Sequence, residues 1–254
     1  MHFVINYFVL LALVITCDVF AAPAKKNIVF HECRKNDPKF LQCFQTEIQN
    51  VLPSLNDGYP KFRIPPIDPF DLPGLEITKG NGAVAIDLNL QKVKISGLTS
   101  AQIQSLKVDV NKFEGYAKLS FSKAINLVGQ YTAKGKVQVL AINGKGPCNI
   151  TLIDPIIELR DMKGEPVERN GVRYLTLKNI KLNVIKVGKI ILQLDNLFQG
   201  NPELSRNLNV FLNENWELLY EELKPAFEEA IEAIVKDIVV KVLTKIPVDQ
   251  VFPA

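Results

Sequence analysis

A long apolar repeat near the C-terminus limits what this chain can fold into more than any other feature. Between Pro202 and Lys245, apolar residues recur every three or four positions, which is the spacing of one helix face. The series comprises Leu204, Leu208, Phe211, Leu212, Trp216, Leu219, Leu223, Phe227, Ile231, Ile234, Ile238, Val242 and Ile246. We expect a single helix of about 44 residues, capped by Asn201 and kinked at Pro225. At 1.5 Å per residue this helix is about 66 Å long, so an elongated molecule is predicted.

The middle of the chain has the period-two pattern that is typical of β-strands. Apolar and polar residues alternate from Val84 to Leu90. The apolar positions then shift to Val93, which predicts a β-bulge near Gln91-Lys92. Similar runs lie at 106–110, 119–121, 127–133, 137–141, 172–176, 180–184 and 190–194, so roughly seven strands are expected. They predict an antiparallel sheet with one solvated face, and the long helix covers the other face.

Shorter signals complete the expected layout of the chain. A first helix is predicted from Pro38 to about Val51. The proline-rich segment from Ile64 to Gly74 is expected to be an extended connector. The dipeptides Asn143-Gly144 and Asn170-Gly171 predict tight turns between strands. A long sheet wrapped around a long apolar helix can leave an internal tunnel.

The N-terminal residues have the pattern of a secretory signal peptide. An apolar stretch from Phe8 to Ile15 is followed by small residues, with Val19 and Ala21 at the two positions that specify cleavage. Residues 1–21 are therefore the predicted signal, and residues 22–254 the predicted single domain. The mature chain carries a net charge of about +4 and has no second membrane-length apolar run, so a secreted, extracellular protein is expected.

Cysteine and histidine counts limit the chemistry that the mature chain can perform. Cys33 and Cys43 are the expected disulfide partners, because they flank the start of the first helix in an extracellular protein. Cys148 is then unpaired; it could be buried, free or bridged to another molecule, and we favour a buried, inert thiol. His31 is the single histidine of the predicted mature chain, so metal binding and triad catalysis are not expected. No cofactor-binding motif is present, and the chain is not expected to be an enzyme.

Several segments, in order and spacing, resemble a known family. They are Cys33 to Cys43, Ile64-Pro65-Pro66-Ile67-Asp68-Pro69, Gly97-Leu98, Gly129-Gln130-Tyr131 to Gly135-Lys136, Asn196-Leu197-Phe198, Phe211 to Trp216, Glu222-Leu223-Lys224-Pro225 and Lys245-Ile246-Pro247 through Phe252-Pro253. The chain resembles the insect takeout and haemolymph juvenile hormone-binding family over essentially its whole mature length.

The resemblance implies an α+β fold in which a long, highly curved antiparallel β-sheet wraps a long C-terminal α-helix. This is a single module like one half of the tubular lipid-binding proteins. It also implies a carrier of a hydrophobic small ligand, a juvenile hormone-like terpenoid or a fatty-acyl lipid, in an internal tunnel. Members are associated with circadian output, feeding and chemosensation. Hormone carriers of the family resemble a two-disulfide scheme, so the unpaired Cys148 points to the takeout-like branch.

The candidate ligand-binding residues follow from the same resemblance and from helix spacing. Tyr131 matches a family position that makes a polar contact in the tunnel; the alternative is a strand tyrosine with its hydroxyl in solvent. Four residues of the long helix face the sheet and could line the cavity or simply fill the core: Phe211, Trp216, Phe227 and Ile231. Phe44 and Ile48, one turn apart on the first helix, are a candidate gate or plain packing.

Three alternatives concern the outer surface and the function. Asn149-Ile150-Thr151 is a glycosylation sequon. The basic stretch Lys178, Lys181, Lys186 and Lys189 could contact anionic lipids, as in a membrane-docking lipid-transfer or antimicrobial protein, or form a solvated strand face. It lacks interleaved aromatic residues, so no nucleic-acid partner is expected, and a receptor is unknown.

An ester hydrolase is the enzymatic alternative to the carrier function, and a lipocalin is the alternative fold.

We predict that the secreted protein begins at Ala22. Signal peptidase accepts small residues at the positions that Val19 and Ala21 occupy. N-terminal sequencing of protein secreted by insect cells checks the site. Ala21→Arg should block cleavage there and keep the protein with the cells, whereas Ala24→Arg, beyond the site, should leave secretion unchanged. Secretion of an uncleaved A21R chain would contradict the assignment.

Overall fold

The computed structural model describes residues 31–60, 64–198 and 200–254. The predicted signal peptide at residues 1–21 lies outside these described residues. Four α-helices and nine strands are present within them: α1 Phe40–Val51, β1 Phe70–Lys79, β2 Val84–Ser96, β3 Ala101–Asp109, β4 Glu114–Phe121, β5 Ile125–Val137, β6 Leu140–Ile153, β7 Ile156–Arg169, β8 Val172–Lys186, β9 Lys189–Leu194, α2 Pro202–Glu214, α3 Trp216–Leu243 and α4 Val248–Val251.

The strands form two antiparallel sheets beside the C-terminal helices. One sheet has five strands in the order β1-β2-β5-β6-β9, and the other has four in the order β3-β4-β7-β8. The larger core lies between the five-stranded sheet and helices α2 and α3. A smaller core joins α1 and α4 to β8. The predicted α+β class is confirmed, although the strands are divided between two sheets. Strand β7 was not predicted from the sequence. None of its residues is fully buried, so the strand lacks apolar alternation.

Two local predictions from the strand pattern are confirmed. Lys92 has a φ of 51°, and the pairing of β2 with β5 shifts register between Gln91 and Lys94, as expected for a bulge. Asn170 and Gly171 have φ angles of 52° and 75° and connect β7 to β8. Two successive positive φ values are those of the type I′ turn that matches the twist of a hairpin.

The predicted turn at Asn143-Gly144 is wrong. Both residues lie inside β6, where they pair with Lys134 and Ala133 of β5. A side chain at Gly144 would place its Cβ 2.5 Å from the hydroxyl of Tyr131, so glycine serves close packing here. The β5–β6 turn lies instead at residues 138–139, where Val137 pairs with Leu140. The need for space in the core therefore overrides the local turn preference of the dipeptide.

The predicted connector is also corrected, since residues 70–74 belong to β1. This strand pairs with β2 alone and forms an edge of the five-stranded sheet. Pro73 lacks a partner in the register, between the pairs Leu72–Val93 and Gly74–Gln91. Proline cannot donate to a ladder, and an edge strand tolerates it because one side of the strand has no neighbour.

The prediction of one continuous C-terminal helix is wrong. Helices α2 and α3 are separated at Asn215, whose φ of −111° and ψ of 24° are not helical. The side-chain amide of Asn215 donates to the carbonyl oxygen of Phe211 at 2.8 Å. Such a local side-chain bond competes with the helical backbone pattern. The cap at Asn201 is confirmed, because its side chain accepts from the backbone N–H of Leu204.

Helix α2 binds the free edge of β9 through two asparagines. Asn209 accepts from the N–H of Leu194 at 2.9 Å and donates to its carbonyl oxygen at 2.7 Å. Asn213 makes the same two bonds with Leu192, at 2.9 and 2.7 Å. Four residues of helix rise about 6.0 Å and two residues of strand about 6.6 Å, so an i, i+4 pair matches alternate strand residues.

The same arrangement recurs at two other edge strands. On α1, Gln49 accepts from the N–H of Ile103 on β3 at 2.8 Å and donates to the carbonyl oxygen of Ala101 at 2.9 Å. On α3, the Glu228 carboxylate accepts from the N–H of Val184 on β8 at 2.6 Å. Each contact satisfies a backbone group that an edge strand would otherwise leave unpaired.

The predicted cysteine states are confirmed. Cys33 and Cys43 form a disulfide with a Cα–Cα distance of 5.7 Å. Cys148 is free and only 4% exposed, on the core face of β6. Burial raises the pKa of its thiol, which keeps the reactive thiolate scarce. Among the described helices, none is both long and apolar enough to cross a membrane.

We predict that Asn213→Ala destabilises the protein by about 1–2 kcal/mol, because both backbone groups of Leu192 lose their partner. Asn207→Ala is the matched control, since Asn207 is an exposed residue of the same helix. Its effect should stay within about 0.5 kcal/mol. The free energy of unfolding is measured by urea titration with the disulfide intact. Equal values for the two variants would contradict this role of Asn213.

We also predict that Cys148 resists thiol reagents in the folded protein, because it is buried and its pKa is raised. Ellman's reagent should detect no rapidly reacting thiol in the native secreted protein and one thiol after unfolding without reductant. Rapid labelling of the native protein at neutral pH would contradict this prediction.

Candidate functional site

An apolar cavity lies between the inner face of the five-stranded sheet and the C-terminal helices. Its volume is about 150 Å³. It is lined by Ile77, Ile86, Leu88, Leu90, Leu127, Ala133, Val137, Ile142, Ile150, Leu152, Ile190, Leu192, Leu194, Leu197, Leu212, Trp216, Leu219, Tyr220, Leu223, Lys224 and Phe227. All but three of these side chains are purely hydrocarbon. The cavity therefore suits a hydrophobic molecule.

Strand alternation and helix periodicity together build this lining. Lining residues on β2, β5, β6 and β9 are spaced by even numbers along each strand, so they share one face of the sheet. The helical contribution runs along α3 from Trp216 to Phe227 at steps of three and four residues. The apolar repeat of the C-terminal region thus supplies the helical wall of the cavity.

Two of the four predicted helix residues line the cavity. They are Trp216 and Phe227. Phe211 of α2 packs against the same core without lining the cavity. Ile231, one turn beyond Phe227, is half-buried and outside the lining. Leu212, the residue after Phe211 on α2, lines the cavity instead.

Tyr131 is fixed by a contact within the protein. It is 1% exposed, and its hydroxyl donates to the backbone carbonyl oxygen of Asp195 at 2.8 Å. Burial is the main cause that raises the pKa of Tyr131 above its usual range. The residue is absent from the lining of the cavity. Its hydroxyl therefore holds the end of β9 against β5, and a role in ligand binding stays a prediction.

Of the two candidate gate residues of α1, Phe44 packs against the smaller core. The ring centroid of Phe44 is 5.5 Å from that of Phe40 and 5.7 Å from that of Phe252. Ile48 is half-buried on the same helix. Neither Phe44 nor Ile48 lines the cavity. Their placement favours packing of α1 against the C-terminal segment, and a gating role stays a prediction.

The lining also includes two polar residues that were not predicted from the sequence, Tyr220 and Lys224. The Tyr220 hydroxyl is buried and has no hydrogen-bond partner among the described residues. Burial, together with the carboxylates of Glu228 and Glu221, raises the pKa of Tyr220 to about 12. Its position four residues after Trp216 was the available signal, because i and i+4 share a helix face.

The remaining candidate residues lie outside the cavity. Asn149 is on the opposite face of β6 from Cys148, paired with Val128 and Gln193, and its Oδ1 is buried without a partner in the described structure. Its glycosylation stays a prediction. In the basic stretch, Lys181 forms an ion pair with Glu232 of α3 at 3.1 Å. This contact favours a structural role for that lysine.

The cavity has no obvious catalytic group. His31 is exposed, pairs with Glu47 at 3.1 Å and is not among the lining residues. The described residues include no cluster of three or more His, Cys, Asp or Glu side chains that could hold a metal ion. Cys148, the one free thiol within the described ranges, has a raised pKa and is absent from the lining.

Comparison with known proteins agrees with this architecture. The family model for haemolymph juvenile hormone binding protein (JHBP) matches residues 8–253. The circadian clock-controlled protein daywake of Drosophila melanogaster is 27% identical over 241 residues, covering 92% of this chain and 88% of that protein. Daywake of Drosophila yakuba is also 27% identical, over 220 residues and 84% of each chain.

A solved structure has the same fold. Takeout 1 of Epiphyas postvittana superposes with a TM-score of 0.72 at 27% identity, covering 84% of this chain and 96% of that one. The match of the family model spans nearly the whole sequence, and the structural match covers most of both chains. The chain therefore belongs to the haemolymph juvenile hormone-binding protein family, as a takeout-like α+β protein.

Proposed function

We propose that this protein is a secreted carrier that binds a hydrophobic small ligand, a terpenoid or a fatty-acyl lipid, in the cavity beneath α3, without catalysis. The observation that carries the proposal is the lining, in which 18 of 21 side chains are purely hydrocarbon. A ligand that buries about 300 Å² of apolar surface would gain roughly 7 kcal/mol at ~25 cal/mol per Å². The family supports binding rather than turnover.

The cavity must widen to hold such a ligand. Its volume of about 150 Å³ is below the roughly 300–1,000 Å³ of typical ligand sites. Helix α3 is the element most able to yield. All its residues are described, and of these only Leu219 is fully buried. Movement of α3 away from the sheet would separate half-buried residues such as Phe227 and Ile234 from the core, and ligand contacts would replace those it loses.

The takeout-like branch is supported by the cysteines and by the relatives. The described residues contain one disulfide and one buried free thiol. Cys148 therefore has no second cysteine with which to form another disulfide within the domain. The signal peptide pattern supports secretion. The relatives' names include clock-controlled proteins, which fits a carrier whose supply changes with time of day.

Filling the cavity should abolish ligand uptake. Ala133 lines the cavity from β5 and is 3% exposed, so Ala133→Leu places three extra carbon atoms in the space proposed for the ligand. We expect at least a tenfold loss of affinity for cis-parinaric acid or its methyl ester. Binding is followed by energy transfer from Trp216, which is the chain's single tryptophan and lines the cavity.

Ala141→Leu is the matched control, because Ala141 lies exposed on the adjacent strand β6. It should bind both probes as the unchanged protein does. If the unchanged protein bound neither probe, the carrier function would be excluded for acyl ligands. If A133L and A141L bound equally well, the ligand would occupy a different place.

A further inference from the structure

The hydroxyl of Tyr220 is an unusual group to find beside an apolar cavity. It is buried, and it has no hydrogen-bond partner in the part of the chain that the structure describes. Most buried polar side-chain atoms are paired, and an unpaired hydroxyl destabilises the folded state. In the same core, the buried hydroxyl of Tyr131 is paired in the usual way, because it donates to the backbone carbonyl oxygen of Asp195. Tyr220 has no such protein contact.

The two helical neighbours of Tyr220 are the other lining residues whose side chains carry polar atoms. Its ring centroid lies 6.5 Å from that of Trp216, four residues earlier on α3. The ammonium of Lys224, four residues later, lies 5.8 Å from the ring centroid. All three residues line the cavity, and the remaining lining is hydrocarbon. The surface that these residues present to the cavity is almost wholly apolar, so the buried hydroxyl becomes reachable when α3 moves away from the sheet to admit a ligand.

Resting on the proposed carrier function, we infer that the Tyr220 hydroxyl donates a hydrogen bond to an uncharged carbonyl oxygen of the ligand, as in an ester, aldehyde or ketone. The bond orients the ligand, with its hydrocarbon part against the sheet and its carbonyl at α3. Tyr220 is thus a specificity-determining residue of the cavity.

The charges around Tyr220 favour an uncharged acceptor over a carboxylate. The carboxylates of Glu228 and Glu221 act on the hydroxyl and, after burial, raise its pKa to about 12, so it stays protonated and can donate. Glu228 is held in place by the N–H of Val184. Two carboxylates would repel a ligand anion, whereas the single ammonium of Lys224 lies against the ring of Tyr220. A neutral carbonyl accepts the hydrogen bond without that repulsion.

The test compares two probes of equal chain length, cis-parinaric acid and its methyl ester, on the secreted protein. The variants are Tyr220→Phe and, as a matched control, Tyr116→Phe. Tyr116 lies on β4 of the other sheet and donates to Glu158 at 2.6 Å, away from the cavity. Affinity is measured by energy transfer from Trp216, and thermal stability by calorimetry without ligand.

The unchanged protein should bind the ester more tightly than the acid. Tyr220→Phe should weaken ester binding about 5-fold, the size of one hydrogen bond. The same change should raise the Tm of the ligand-free protein by about 2–4 °C, because it removes an unpaired buried hydroxyl. A merely structural tyrosine would not produce these opposite effects. Tyr116→Phe should leave ester affinity unchanged and should not raise the Tm.

Other results would overturn the inference without touching the carrier function. Ester affinity equal in Y220F and the unchanged protein would show that the hydroxyl does not contact the ligand. Tighter binding of the acid, lost in Lys224→Met, would assign the polar end to the ammonium and an anionic ligand. Failure of both probes to bind the unchanged protein would instead count against the carrier function itself.

Discussion

The hydrogen bonds between helix side chains and edge strands are the interaction on which the rest of this structure depends. Asn209 and Asn213 pair with β9, Gln49 pairs with β3, and Glu228 pairs with β8. Asn209 and Asn213 lie four apart and meet Leu194 and Leu192, which alternate along β9. Gln49 meets Ala101 and Ile103, which alternate along β3. Four residues of helix rise about 6.0 Å and two residues of strand about 6.6 Å. Because these lengths nearly match, side chains of a regular helix can pair with the backbone groups of a regular edge strand. The two sheets thus gain covered edges, and the helices gain a fixed register.

The cavity is a consequence of that docking. Helix α2 is held along β9, the helix is interrupted at Asn215, and residues of α3 line the cavity over the inner face of the five-stranded sheet. Polar contacts at the sheet edges hold α3, while few of its apolar residues are fully buried. A helix held at its flank over a weakly filled apolar space can admit a ligand more readily than one packed into a dense core. The unpaired hydroxyl of Tyr220 lies at this same interface. Functional sites are where a protein tolerates such a local loss of stability.

Sequence reasoning succeeded where the deciding interactions are local. The Asn201 cap, the bulge at Lys92 and the Asn170-Gly171 turn each depend on a few neighbouring residues, and all are present. The cysteine pairing was accessible for a similar reason, because Cys33 and Cys43 are close in the chain. Helix spacing likewise placed Trp216 and Phe227 on the side that lines the cavity. The same reasoning failed at Asn143-Gly144, where the approach of Tyr131 requires a glycine inside a strand.

The amino-acid sequence by itself determined the α+β class, the apolar face of the C-terminal region and the family to which the chain belongs, because periodicity and motif order are properties of the chain alone. Only the tertiary structure decided how the strands divide into two sheets, because pairing depends on partners far apart in sequence. It also decided which tyrosine hydroxyl is paired within the protein. Tyr131 and Tyr220 are both aromatic residues in apolar segments, yet one hydroxyl meets the carbonyl of Asp195 and the other meets no partner in the described structure. That difference arises from the distance between a side chain and a backbone group 64 residues away, which no local pattern encodes.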